Sequence, residues 1–238
     1  MSVIVFQHWD AGSPRRLGRT LRDHGHKLDI RRLDQGDPIP PDLDNVRGLL
    51  VMGGHQNVGD EPWMSHEMDF IRKCHEAELP VFGICLGHQL IASALGGEAG
   101  PMEKPEFGFE DVSVGVPGQT DILLAGVPWK TKFFQAHGWE VKKAPADAQV
   151  LAGNDACKVQ IMRAGVRTVS CQFHFEADKA CIAELTERWP DGVEGAGKDP
   201  ELILKEIDAY YDRFASVADR LCVNLATHCF PFASLTAI

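Results

Sequence analysis

The chain has 238 residues, of which 44% are hydrophobic and 24% charged, and its 34 acidic against 24 basic side chains give a net charge of −10. This is the make-up of an ordinary globular protein long enough for a sizeable α/β core, and its acidic field argues against nucleic acid or an anionic membrane as partner. No stretch approaches the ~20 apolar residues of a membrane span, and seven cysteines without C-x-x-C spacing read as reduced thiols in a cytoplasmic setting.

Val3 to Phe6 is a β-branched and aromatic run suited to a central parallel strand, and Ser13-Pro14 reads as an N-cap with proline opening a helix buried through Leu17 and Leu21. Leu28 to Leu33 is a second predicted strand, and the segment Asp37 to Asp42 is a Pro-rich loop. Gly48 to Met52 is a third apolar run ending in Gly53-Gly54, followed by a helix carrying Met64, Met68, Ile71 and Cys74 on one face. Val81 to Ile84 is a short buried strand; Leu86, Leu90, Ile91, Ala94 and Leu95 then recur at helical spacing until Gly96-Gly97. Such alternation predicts an α/β fold with a mostly parallel central sheet, helices on both faces and ligands at the carboxyl ends of the strands.

Beyond Gly97 the pattern changes to short strands, Phe107 to Val116, Lys132 to Gln135, Trp139 to Lys142, Val150 to Ala152 and Val159 to Met162, which predict a small antiparallel section. Thr168 to Phe173 returns to a buried strand that runs into His174, with a helix marked by Cys181, Ile182 and Leu185 after it. Gly192 to Gly197 reads as a connector, and Asp199-Pro200 caps a long final helix whose stripe Ile203, Ile207, Tyr210, Phe214, Val217 and Leu221 is most simply core. Residues 1–190 are thus expected to form the main domain, with 191–238 a connector and helix packed on it.

Cys85 falls at the strand-to-helix turn, flanked by Gly83 and Gly87, where a sharp turn exposes one side chain at the top of a sheet. The following helical turn aims unpaired N–H groups and a positive dipole end at the sulfur, which favours the thiolate. A thiol nucleophile needs a base and a group that orients the base. His174 and Glu176, two residues apart on an extended segment, point the same way and supply both. Backbone N–H groups of Gly54 and of Leu86, the residue after Cys85, are the natural oxyanion donors for acyl transfer. Taken singly, Cys85 is as compatible with a buried core cysteine as with a nucleophile, and His174 and Glu176 read more simply as a core histidine and a solvated neighbour of a helix N-cap; their joint presence favours chemistry.

Gly83-Ile-Cys-Leu-Gly-His-Gln89, Gly53-Gly54 after an apolar strand, and Phe173-His174-Phe175-Glu176 resemble the class I (triad) glutamine amidotransferases, most closely stand-alone members likened to the amidotransferase half of GMP synthetase. The resemblance implies a flavodoxin-like sheet. It also implies a reaction in which Cys85 attacks the γ-carboxamide of glutamine, His174 is acid and base, Glu176 orients it, and ammonia is released. It further assigns the oxyanion hole to Gly54 and Leu86 and substrate binding to Gly53, Gln89, His137 and Gly138, with no metal and no cofactor, and an ammonia-accepting synthase as a separate partner.

Three positions depart from the pattern: His55 after Gly-Gly and Phe175 within the triad segment, both where relatives often have proline, and Trp139 where many carry an acidic residue. Two alternatives therefore stand beside a glutaminase: a γ-glutamyl peptidase or hydrolase acting on larger substrates, and a binding or regulatory protein that kept the fold without turnover. His66, Glu67, His75 and Glu76 lack the i, i+4 histidine pair of a zinc helix and read as a solvated face, and His24 and His26 as surface residues.

Overall fold

In the computed structural model, which describes residues 1–231, the alternation of the first half becomes β1 (Ser2–Gln7), α1 (Arg15–Asp23), β2 (Leu28–Arg32), β3 (Val46–Val51), α2 (Met64–Glu76), β4 (Val81–Ile84) and α3 (Leu86–Ala94). The chain continues through β5 (Glu98–Val114), the single turn α4 (Val116–Gln119), β6 (Lys130–Lys143), β7 (Ala148–Gly153), β8 (Ile161–Ala164) and β9 (Thr168–Cys171). Then come α5 (Lys179–Arg188), α6 (Pro190–Gly195) and α7 (Pro200–Asn224), the last running into a π-helical turn, Leu225–Cys229. Among the described residues the strands form one nine-stranded sheet in the order β2-β1-β3-β4-β9-β8-β7-β5-β6.

The strands from β2 to β9 in that order pair in parallel, and the remaining four, β8, β7, β5 and β6, are antiparallel. The antiparallel part is therefore larger than the sequence pattern suggests. Two segments expected as separate strands, Lys132 to Gln135 and Trp139 to Lys142, are one continuous β6 paired along β5.

Because side chains alternate along a strand, β1 feeds two cores: Val3 and Val5 pack with α1, α5 and α7, whereas Ile4 and Phe6 pack with α2 and α3. Within α7, Ile203, Ile207, Phe214, Val217 and Leu221 join the first of these cores, so the stripe is core packing; Tyr210 is exposed. Asp199 caps this helix by accepting from the Leu202 N–H at 2.8 Å, and Pro200 occupies its first turn. The start of α1 differs from expectation: Pro14 is the capping residue itself, with no side-chain cap, and the helix begins at Arg15. The connector expected at Gly192 to Gly197 is largely the short helix α6.

The hairpin β5–β6 governs the shape of the site. Although β6 closes the sheet order at the far end, it curls back until the Phe134 carbonyl accepts from the His174 N–H at 2.8 Å. Phe133 stacks on Phe173 with ring centroids 3.9 Å apart, and Phe214 of α7 closes over Phe109 at 5.4 Å. Aromatic packing thus carries the antiparallel ribbon over the carboxyl edge of the parallel strands.

Candidate active site

Register explains why residues 89 apart in sequence meet. β4 and β9 are parallel neighbours with Ile84 opposite Cys171, and the Cys85 N–H donates to the Cys171 carbonyl at 2.9 Å. Both strands therefore end at one edge, Cys85 just past the first and His174 just past the second. Cys85 adopts φ 54° and ψ −108°, a left-handed conformation that few side-chain-bearing residues take. The turn closes so tightly that a Cβ on Gly87 would lie 2.1 Å from the Val51 carbonyl oxygen, which excludes any residue but glycine.

The ring of His174 is nearly buried, and its Nδ1 donates to Glu176 Oε1 at 2.8 Å. Burial alone would lower its pKa. The Glu176 carboxylate and then the Cys85 sulfur, by charge and hydrogen bonding, more than offset that and raise it to about 10. A Cβ on Gly53 would come within 2.9 Å of His174 Cε1 and 3.5 Å of Cys85 Cβ, so the glycine at the end of β3 admits both side chains to one point. Cys85 Sγ lies 3.9 Å from the Ala136 carbonyl oxygen of β6. Phe175, between the histidine and the carboxylate, points the other way: it is fully buried, edge-on to Phe82 at 5.8 Å, and pins the segment to the core.

These groups line a cavity of about 320 Å³ together with Trp9, Gly54, Gln89, Gly138, Leu185 and Trp189. Leu86 opens α3, so its N–H has no partner within the helix, and with the neighbouring Gly54 it borders the cavity. Gln89 is held from behind, its Nε2 donating to the Trp139 carbonyl at 2.9 Å and to Gln172 Oε1 at 3.2 Å. His137 turns its ring away: Nδ1 is 3.0 Å from the Trp139 carbonyl oxygen and Nε2 is 3.1 Å from Glu106 Oε2. Residues 137 and 138 thus offer the cavity mainly backbone, with Trp189 packed over Gly138 at 3.5 Å from its would-be Cβ. His55 is exposed at the mouth, edge-on to Trp9 at 5.5 Å; the Trp139 carbonyl serves as the shared acceptor of Gln89 and His137.

Several residues behind this cavity escape a reading by motif. His88 is fully buried, with Nδ1 2.8 Å from Ser170 Oγ and Nε2 2.9 Å from the Val159 carbonyl oxygen. Because a carbonyl only accepts, Nε2 carries the proton and the Ser170 hydroxyl donates to Nδ1. Burial pushes its pKa down to about 3. Glu67 is not on a solvated face: it is completely buried, 2.9 Å from His8. His75 is half-buried and bonds Thr168 Oγ1 at 2.8 Å, and His26 is buried edge-on to Phe230. His24, His66 and Glu76 are exposed as expected. Among the described residues no three His, Cys, Asp or Glu side chains gather to hold a metal ion, and no helix is long and apolar enough to cross a membrane.

The fold and this cysteine–histidine–glutamate edge define a class I glutamine amidotransferase. Residues 9–180 match the family described as glutamine amidotransferase class-I, and the chain belongs to that family. The glutamine-hydrolyzing GMP synthase subunit of Pyrococcus furiosus is 35% identical over 155 residues, covering 62% of this chain and 74% of that one. The glutamine-hydrolyzing GMP synthase of Aeropyrum pernix is 33% identical over 174 residues, 73% of this chain; this chain spans only 33% of its length. Gamma-glutamyl peptidase 3 of Arabidopsis thaliana is 27% identical over 175 residues, 71% of this chain and 70% of that one. In fold, the glutamine amido transferase of Methylobacillus flagellatus superposes with a TM-score of 0.83 at 23% identity, covering 96% and 93% of the two chains.

Proposed function

We propose that this chain hydrolyses the γ-carboxamide of glutamine through a cysteine thioester and releases ammonia. The observation that carries the reading is the meeting of Cys85, His174 and Glu176 where two parallel strands end, each held by its own hydrogen bonds. The sulfur adds to the amide carbon, and the N–H groups of Gly54 and Leu86 take the oxyanion. His174 gives its proton to the departing nitrogen, so that ammonia leaves and a γ-glutamyl thioester remains. His174 then takes a proton from water, which adds to the thioester carbon; the sulfur leaves and glutamate is formed. Glu176 keeps the imidazole aimed through both steps, Gln89 meets the amino-acid part of the substrate, and the backbone of Gly53, His137 and Gly138 shapes its seat.

The family likeness to GMP synthase subunits supports a separate synthase as the consumer of the ammonia. The unpaired state of all seven cysteines supports a reducing, cytoplasmic setting. Residues 1–190 are taken as the catalytic unit and 191–231 as its packed extension, residues 232–238 of the expected extension lying outside the described residues. A second reading, a γ-glutamyl peptidase, is favoured by the likeness to gamma-glutamyl peptidase 3 of Arabidopsis thaliana and by a cavity whose wall includes Trp9, Leu185 and Trp189.

The test is to trap the chain with a glutamine-like diazoketone and map the adduct. Labelling of Cys85, with Cys85→Ala losing both the adduct and γ-glutamyl hydrolysis, supports the reading, and full activity of that variant removes it. Comparing glutamine with γ-glutamyl dipeptides in the same assay separates the two readings.

A further inference from the structure

Beneath the glycine pair that follows β3 lies a second histidine–carboxylate pair that the chemistry above leaves unused. His8, just past β1, and Glu67, in the first turn of α2, have fully buried side chains with Nε2 and Oε1 2.9 Å apart. Trp63 stacks on the imidazole at 5.4 Å with the planes 4° apart, and Gln56 Nε2 donates to the His8 carbonyl at 3.0 Å. Taking two ionisable groups out of water costs several kcal/mol per ion unless their geometry returns it, roughly as large as many folds' whole margin. A hydrophobic pair would fill the space at no such cost, so the position of the ring needs a reason.

β1 and β3 run side by side with Phe6 opposite Val51, and the Met52 N–H donates to the Phe6 carbonyl at 2.9 Å. His8 therefore travels alongside Gly53 and Gly54, and its Cβ lies 2.9 Å from where a Gly54 side chain would begin. Its Nδ1 is buried and makes no close hydrogen bond of its own. Burial would lower the pKa of the ring, yet Glu67, and after it the backbone of Gly53 and Met52, raise it above the ordinary histidine value. In a trans peptide the C=O and N–H point opposite ways. The Gly53 carbonyl packs on the segment that follows His8, its oxygen 2.6 Å from where a Gly12 side chain would begin, so the Gly54 N–H is turned to the other side, where Cys85 Cβ and His174 Cε1 crowd against Gly53.

We propose that His8, braced by Glu67, is a positioning residue that fixes the Gly53–Gly54 peptide with its N–H facing the Cys85 sulfur, so that the oxyanion donor is in place before substrate arrives. This rests on the reading of Gly54 as that donor. The experiment compares His8→Gln, His8→Asn and Glu67→Gln with the parent for kcat and KM on glutamine per active site titrated with the diazoketone, and for Cys85 alkylation by iodoacetamide, which forms no oxyanion.

Loss of one preorganised donor costs about 10²–10³-fold in rate, and its loosening about 10–100-fold. The expected result is a fall of that smaller size in kcat for His8→Gln and Glu67→Gln, with KM and the alkylation rate within about threefold of the parent. His8→Asn, whose amide N–H can replace Nδ1, should recover most of the loss. A kcat per titrated site within twofold of the parent in Glu67→Gln, or a loss that sits in KM or tracks alkylation, overturns the proposal; Glu67→Gln, close to isosteric, decides alone if His8→Gln does not fold. A parent inactive on glutamine and γ-glutamyl peptides removes the reading of the site and this inference with it, whereas an active parent with insensitive variants removes the inference only.

Discussion

His174 and His88 are both shut away from solvent, both lean on β9 or its continuation, and yet are held in opposite charge states. His88 meets the Ser170 hydroxyl and the Val159 carbonyl, neutral partners too weak to repay desolvation of a cation, and its pKa falls to about 3. His174 suffers the same burial, but a carboxylate 2.8 Å away and a sulfur beside it carry its pKa up to about 10. Burial alone therefore does not set the charge here; what the nearest partner returns against it does, and for His174 that partner stands two residues along the chain.

The sharpest way to break the contrast is Glu176→Gln, which gives His174 a neutral partner like that of His88. It should lower kcat/KM on glutamine by about 10²–10³-fold, and bring the alkaline limb of the pH–rate profile down from near pH 10 toward the ordinary histidine range. An unmoved limb would mean that another group holds the proton. On the neutral side, His88→Leu leaves the Ser170 hydroxyl without its acceptor and the Val159 carbonyl with only the weak Cys157 thiol donor at 3.7 Å, and should cost about 1–3 kcal/mol in urea unfolding, with kcat per titrated site within about threefold.

Stability against pH should separate the two rings further. The unfolded chain protonates His88 near pH 6.5 while the folded one resists until about 3, so stability falls as pH drops through that window, and His88→Leu should flatten the slope there. His174 works in the other direction: its contribution is whole below pH 6.5 and is lost as pH rises toward about 10, a loss absent from His174→Gln. Smallest of all, Phe175→Leu should cost about 1–1.5 kcal/mol of stability and change kcat/KM less than threefold, because its ring faces Phe82 rather than the cavity.

Much of the site is legible in the sequence because its signals are local. Gly83, Cys85 and Gly87 state their own turn, and the two-residue spacing of His174 and Glu176 brings them together, although through a turn beyond β9, closed by the Ala177 N–H on the His174 carbonyl at 3.4 Å, rather than through the strand alternation the sequence suggests. The parallel half of the sheet is legible for the same reason, since each strand and helix announces itself over four to thirteen residues. What escapes is long-range. Glu67 looks solvated because α2 is polar around it, and nothing near it in sequence reports that His8, 59 residues earlier, will be delivered to its side by the β1–β3 pairing. The reach of β6 back to His174 is hidden too, because the curl of an antiparallel ribbon depends on contacts such as Phe133 with Phe173 that no local pattern encodes.

The backbone at Cys85 carries one more implication. A side chain held at φ 54° and ψ −108° costs about 1–3 kcal/mol that glycine would not incur. Cys85→Gly should therefore melt at a temperature equal to or above that of Cys85→Ala while both are inert, which calorimetry can read directly. If so, drift away from turnover would be rewarded by a sturdier molecule, and only continued selection for the reaction keeps sulfur at that corner.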